Sequence, residues 1–501
     1  MRTGASKKAF AAIIVIVVVA VASFALYETY LGSGPAGCLS IPEGGVKSQS
    51  SSTSFGAVTE YKISGQNRWP NGITTSPDGS VWFSEESPPG VVHLYPGNGT
   101  LVEYPLPGLA KPQPPDCAAY LNISGMAVWN GRVWAADEFG NLTIGVNPST
   151  GGTVSVNSSS SAPFPYWLAV GPDGNLWFTS NNFPGEPARL GIILSNLTLR
   201  TVDLVGLGDY QPVQIDFVNA TLAYLSTINE ATNSTSQVCA CTGHIYSFNP
   251  SGVGPSMTPT LVGGNEKLIL TTSVTYAAGS VWATQHGGSN LVGYNLTSGT
   301  WMTYPTSLIP WSEVTLPLES DASGNRVWFN EHIANKIALL DPSQGTLTEY
   351  SESDPPASSE AGIENDLSIT ATQSGLWFTS ISGNYVGFVD PTVKPGFGVN
   401  VGGANHATVA QGGNASFQLS VSGSWSTALS VNSSDSENLQ SIPQGITITS
   451  IPNAIPAGSG PVDLRVEVEV GAGVPPGAYT VAVTATNQGL QQTAYLFIQV
   501  N

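Results

Sequence analysis

Four strand-like segments end in side chains that can do acid–base or metal chemistry. They are Val81-Trp82-Phe83-Ser84-Glu85-Glu86, Val133-Trp134-Ala135-Ala136-Asp137-Glu138, Val281-Trp282-Ala283-Thr284-Gln285-His286 and Val327-Trp328-Phe329-Asn330-Glu331-His332. Carboxylate oxygens converging from several segments can hold a hard divalent cation, Mg2+ or Ca2+. An imidazole beside them can serve as general base next to a polarised carbonyl. On this reading Glu85, Glu86, Asp137, Glu138 and Glu331 are candidate metal ligands, and His332 and His286 are candidate catalytic bases. Acidic loop ends that bond backbone amides would leave the same pattern. A second set, Trp69, Trp167, Trp311, Glu364 and Asp366, precedes or opens other apolar segments. Exposed aromatic faces beside acids suit a sugar or a flat ligand, whereas the same tryptophans turned inward would simply pack.

The segments that must position these groups form a repeat. Trp82, Trp134, Trp177, Tyr224, Trp282, Trp328 and Trp377 mark related cores about 43 to 58 residues apart, close to the period of four-stranded propeller blades. Around each marker the same order recurs: an inner strand, a turn such as Pro172-Asp173-Gly174, a strand centred on the aromatic, a loop, a third strand and a fourth. Seven markers predict an all-β, seven-bladed β-propeller over 56–394. Loops leaving the second strands then share one face with loops entering the inner strands, so the acids and histidines above gather on a single rim. The seventh repeat stops at Tyr385-Val386-Gly387-Phe388-Val389 without a fourth strand. Val58-Thr59-Glu60-Tyr61, which resembles Leu347-Thr348-Glu349-Tyr350, is expected to supply it. Closure of the ring removes a sheet edge that would otherwise invite aggregation.

Residues 395–501 lose the tryptophan rhythm and show short alternating strands, which predicts an immunoglobulin-like β-sandwich. Val474-Pro475-Pro476-Gly477-Ala478-Tyr479-Thr480-Val481 matches a Pro-x-Gly-x-Tyr-x-Val pattern of surface domains.

Residues 1–31 carry Arg2, Lys7 and Lys8 before an apolar run from Ala9 to about Leu26, which reads as one N-terminal transmembrane helix or a cleaved signal peptide. Residues 32–55, rich in Gly and Ser, are expected to be a flexible stem. The predicted location is the cell membrane, single-pass, with the bulk of the chain outside; secretion is the alternative. Ten glycosylation sequons, at Asn98, Asn122, Asn141, Asn157, Asn196, Asn219, Asn233, Asn295, Asn414 and Asn432, all lie beyond the apolar run. Cys38, Cys117, Cys239 and Cys241 permit two disulfides in any of three pairings. A formal charge of −19 with only 15 Lys and Arg argues against a nucleic-acid partner. The partners left are the membrane and a glycan, a peptide or a neighbouring envelope protein.

Gly171-Pro172-Asp173-Gly174-Asn175-Leu176-Trp177-Phe178-Thr179 and Val327-Trp328-Phe329-Asn330-Glu331-His332-Ile333-Ala334-Asn335-Lys336-Ile337 resemble repeats of the virginiamycin B lyase (streptogramin lyase) family, over roughly residues 57–391. The resemblance implies a propeller. For an active member it also implies opening of a cyclic peptide antibiotic at its ester bond, with magnesium and a histidine base. The family's histidines precede its last two inner strands, but here Pro317 and Leu367 stand nearest those positions, and Ser380 and Ile381 replace the acid after the last marker. Two readings follow: an extracellular binding or structural module, or a metal-dependent carbon–oxygen lyase or hydrolase.

Overall fold

In the computed structural model every marker aromatic becomes the buried centre of a second strand. The structure describes the chain from residue 41 on, apart from 43–44, 66–67, 110–122, 183–185, 230–241, 265–267, 287–289, 307–316, 333, 353–365, 382, 394–395, 426–427, 438–444 and 488–489. The N-terminal segment, all four cysteines, Asn122, Asn233, Trp311 and Glu364 lie outside the described residues. Among those described, every regular element is a strand, and no helix is long and apolar enough to cross a membrane.

The architecture is β-propeller-like. Seven inner strands, Pro70–Thr75, Met126–Trp129, Pro165–Val170, Gln211–Asn219, Val274–Ala277, Pro317–Ser323 and Asp366–Ala371, each open a sheet whose first four strands run antiparallel, numbered here in that order. Each inner strand contacts the next one, and the seventh contacts the first. Val58–Lys62 pairs with Tyr385–Val389 in the register Val58↔Val389 to Lys62↔Tyr385, so the N-terminal strand does serve as the fourth strand of the seventh sheet.

Two devices seen in side-chain detail explain the repeat. The first is a glycine facing an aromatic on the neighbouring strand, as in Gly145↔Trp134 and Gly293↔Trp282. A Cβ on Gly145 or Gly293 would meet the indole at 2.6 Å, so any larger residue would displace the ring. The second is a hydroxyl two residues after the marker. Inner strands bulge between Pro70 and Ile73, Pro165 and Leu168, and Asp366 and Ile369, which frees backbone groups from the ladder. Ser84, Thr179 and Thr379 accept from the N–H of Gly72, Trp167 and Ser368 at 2.8, 3.1 and 3.2 Å. The same hydroxyls donate to the carbonyls of Ile123, Val213 and Asn71 at the next sheet. The Thr379–Asn71 bond therefore stitches the seventh sheet to the first.

The segment expected to be a flexible stem is strand over part of its length. Ser51–Phe55 pairs with Val58–Lys62 outside the seventh sheet, and Val46–Gln49 pairs with Thr100–Pro105 outside the first. Open sheet edges offer unpaired N–H and C=O groups, and a Ser/Thr-rich chain takes them up even without a strong apolar pattern.

The last hundred residues form two sheets around one core that includes Phe417, Val466, Tyr479, Val481 and Leu496. One sheet has the order Phe397–Val401, Asn414–Trp425, Val462–Val470, Ile446–Ile451. In the other, Leu490–Val500 pairs with Gly477–Asn487 and also with Thr346–Ser351, so this sheet is continuous with the sixth sheet. Tyr495 projects from that strand into the apolar cluster of Trp282, Tyr304 and Phe329 and donates to the Pro305 carbonyl at 2.7 Å.

Candidate functional site

The candidate rim is held together by backbone. The residue four past the marker donates its N–H to the carbonyl of the residue that enters the inner strand: Glu86 to Trp69 at 3.3 Å, Asn181 to Phe164 at 2.9 Å and His286 to Leu270 at 3.0 Å. Trp69, Phe164 and Leu270 all have positive φ, at 53°, 55° and 48°, a conformation costly for residues with a Cβ. Both loop sets therefore do meet on one face. Trp69 and Trp167 sit there half-buried. Asp366 opens its inner strand opposite Ser380.

The acids are not displayed on this rim but buried beneath it, and Glu85, Glu86, Asp137 and Glu138 are engaged within their own sheet or by the next one. Arg68 donates through Nε to Glu85 at 3.1 Å and through Nη2 to both Glu85 and Glu103. Burial pushes the Glu85 carboxyl up to about 8, against the pull of Arg68 and with Glu103 adding to the rise. Glu86 accepts from Asn71 at 2.6 Å and from the Ile123 N–H at 3.3 Å; burial lifts it to about 8 as well. Asp137 caps Gly140 at 2.9 Å and is raised by burial to about 6. Glu138 accepts from Asn181 at 3.2 Å, across to the third sheet. Among the described residues no three His, Cys, Asp or Glu side chains form a group able to hold a metal ion. Nor does the donor set fit a shared divalent cation, because Glu85 already faces a guanidinium and Glu86 an amide.

The two histidines are brought together. The rings of His286 and His332 lie 5.5 Å apart, centroid to centroid, and both are buried. Neither ring nitrogen of His286 has a hydrogen-bond partner among the described residues. Burial, then His332, lowers its pKa to about 3, so the imidazole is neutral at ordinary pH. The acid next to this pair, Glu331, faces Glu349; burial first and Glu349 second hold it well above the usual carboxylate range, while Lys336 pulls it down. Lys336 Nζ stands 4.0 Å from Glu349.

Residue-by-residue reading missed Arg68, Glu103, Glu349, Lys336 and Phe164. Glu103 and Glu349 belong to a visible series, Val102-Glu103-Tyr104, Thr348-Glu349-Tyr350 and Thr59-Glu60-Tyr61, on the fourth strands. That series could have shown that second-strand acids face a second acid. Arg68 and Phe164 carry no such signal.

No protein-family model matches the chain, and no curated protein sequence matches it. Solved structures do. A virginiamycin B lyase from Staphylococcus aureus aligns with a TM-score of 0.50 and 21% identity, covering 66% of this chain and 98% of that one. A catalytically inactive form of that enzyme with quinupristin aligns at 0.49 and 19%, covering 66% and 98%. At such identity the likeness establishes the fold, and this chain has a propeller of the kind seen in the lyases.

Proposed function

We propose that the chain is a cell-surface binding module. In this reading a closed, seven-bladed propeller carries an immunoglobulin-like sandwich, is tethered by its N-terminal helix and presents its rim outside the cell to a glycan, a peptide or an envelope protein. The observation that carries it is the allocation of rim groups: Glu85, Glu86, Asp137 and Glu138 are spent on internal partners, while Trp69, at a strained, backbone-tied loop end, and Trp167, on its inner strand, remain half-exposed. Glycans would sit on the exposed sequons Asn98, Asn157, Asn196, Asn219 and Asn414, on half-buried Asn295 and on Asn432. Asn141 fits less well, because it is half-buried and its Nδ2, the atom that would carry the sugar, donates to the Phe139 carbonyl at 3.3 Å. The test is a glycan and peptide array probed with the intact protein, then with Trp69→Ala and Trp167→Ala. Each substitution is expected to cut rim binding at least tenfold; unchanged binding by both would remove the rim from the proposal.

The neutral imidazole of His286, set beside His332, favours a second reading, an extracellular lyase or hydrolase with His286 or His332 as base. That reading calls for opening of a streptogramin B antibiotic or another cyclic ester in the presence of Mg2+ or Ca2+. Activity must then disappear when both His286 and His332 are alanine.

A further inference from the structure

A second recess lies at the opposite strand ends, where the hairpins joining third and fourth strands turn. It is a groove of about 510 Å3 between the outer edges of the first and second sheets, within the size range of small-ligand sites. Tyr95, Asn98 and Thr100 line it from the first sheet, Ser149 and Thr150 from the second, and Lys47 from the added strand Val46–Gln49. The groove is therefore completed by the segment expected to be a stem.

Its apolar wall is a fixed aromatic platform. Tyr95 is 43% exposed, and its ring packs on His93 with centroids 3.9 Å apart; His93 stacks on buried Trp82 at 4.0 Å and 16°. The remaining walls are held by their own turns. Asn98 Oδ1 accepts from the Thr100 N–H at 3.0 Å, and Asn147 Oδ1 from the Ser149 and Thr150 N–H groups at 2.9 and 3.2 Å. Tyr104 ties the two sheets by donating to the Pro148 carbonyl at 2.7 Å. These bonds leave for a ligand the face of Tyr95, the Asn98 amide N–H2, the Ser149 hydroxyl and the Lys47 ammonium, which forms no ion pair with a described residue.

An aromatic face ringed by hydroxyls and an amide matches a sugar, whose axial C–H groups lie on the negative face of the ring while its hydroxyls bond the rim. The Lys47 ammonium at the edge of the groove selects a sugar bearing a carboxylate. From this geometry we infer that the groove between the first two sheets is a binding site for an acidic saccharide. Such a saccharide can come from a free glycan or from the sugar chain carried by Asn98 itself, whose amide borders the groove.

The experiment uses the full chain in detergent, produced in a host without N-glycosylation, with trigalacturonate as probe and maltotriose as its neutral counterpart. Calorimetric titration is expected to show saturable binding of trigalacturonate, with maltotriose at least tenfold weaker. Tyr95→Ala and Tyr95→Leu should each weaken the acidic probe at least tenfold, and Lys47→Gln should bring it down to the level of maltotriose. Trp69→Ala and Trp167→Ala should leave it unchanged, which separates this site from the rim. Absence of saturable binding overturns the inference, as does trigalacturonate binding that survives in folded Tyr95→Ala and Tyr95→Leu. In protein carrying a glycan at Asn98, loss of trigalacturonate binding that the unglycosylated protein retains assigns the groove to the chain's own sugar; undiminished binding assigns it to a free one.

Discussion

The first and sixth sheets place the same two acids at the same two positions and neutralise them differently. In the first, Glu85 on the second strand and Glu103 on the fourth share Arg68, whose planar guanidinium donates to both. In the sixth, Glu331 and Glu349 have Lys336, a point charge 4.0 Å from Glu349 and on the strand between them. What covers each pair differs too: the short strand Val46–Gln49 lies over the first, whereas Leu490–Val500 with fully buried Tyr495 lies over the sixth. Tyr495 is itself held well above its ordinary pKa by burial, then by Glu349 and Glu331. Burial raises one carboxyl of each pair, Glu85 to about 8 and Glu331 well above the usual carboxylate range, so the difference lies in reach: a fork bonds both acids at once, whereas a single ammonium stands 4.0 Å from one of them.

The widest break in this comparison comes from removing the fork. Arg68→Met leaves two buried acids facing each other and should cost about 3–5 kcal/mol, because an uncompensated buried charge is far worse than an absent pair. Urea unfolding at pH 7 measures it, and a loss below about 1 kcal/mol would mean that Glu85 and Glu103 do not depend on Arg68. Lys336→Met in the sixth sheet should cost less, about 1–3 kcal/mol, since its contact with Glu349 is longer and no hydrogen bond to two acids at once is lost. Equal losses for the two substitutions would erase the distinction between fork and point charge.

The scaffold was legible because its determinants are local and repeated. The Trp and Tyr markers, the Pro-Asp-Gly turns and the three Glu-Tyr fourth strands each recur, and Val58-Thr59-Glu60-Tyr61 was recognisable as a displaced strand from its likeness to Leu347-Thr348-Glu349-Tyr350 alone. The rim was legible in outline: Glu85, Asp137, Glu331, His286 and His332 do stand at matching strand ends. Their burial was not legible, because it depends on what packs over each loop. The pairing of Arg68 with Glu85 and Glu103 spans 17 and 35 residues of sequence, and nothing near Arg68 announces it. Strand formation at Val46–Gln49 was hidden for a related reason, since its sequence is polar and only the open edge of Thr100–Pro105 gives it a partner.

The smallest effect is the sharpest test of proton placement. If Glu331 keeps its proton because burial and Glu349 disfavour its charge, glutamine is nearly its isostere, uncharged and of the same shape. Glu331→Gln should then lie within about 1 kcal/mol of the parent at pH 5. Its influence must grow with pH in one direction. A carboxyl whose folded pKa is raised binds its proton more tightly in the native than in the unfolded chain, so its contribution is present below the unfolded value near 4.5 and is lost as pH rises toward the folded value. The parent therefore loses stability from pH 5 to pH 9 through this residue, and the glutamine variant does not share that loss. Paired urea titrations should show the two curves close together at pH 5 and the variant ahead at pH 9. A variant that falls behind the parent as pH rises would mean that Glu331 is ionised and held by Lys336.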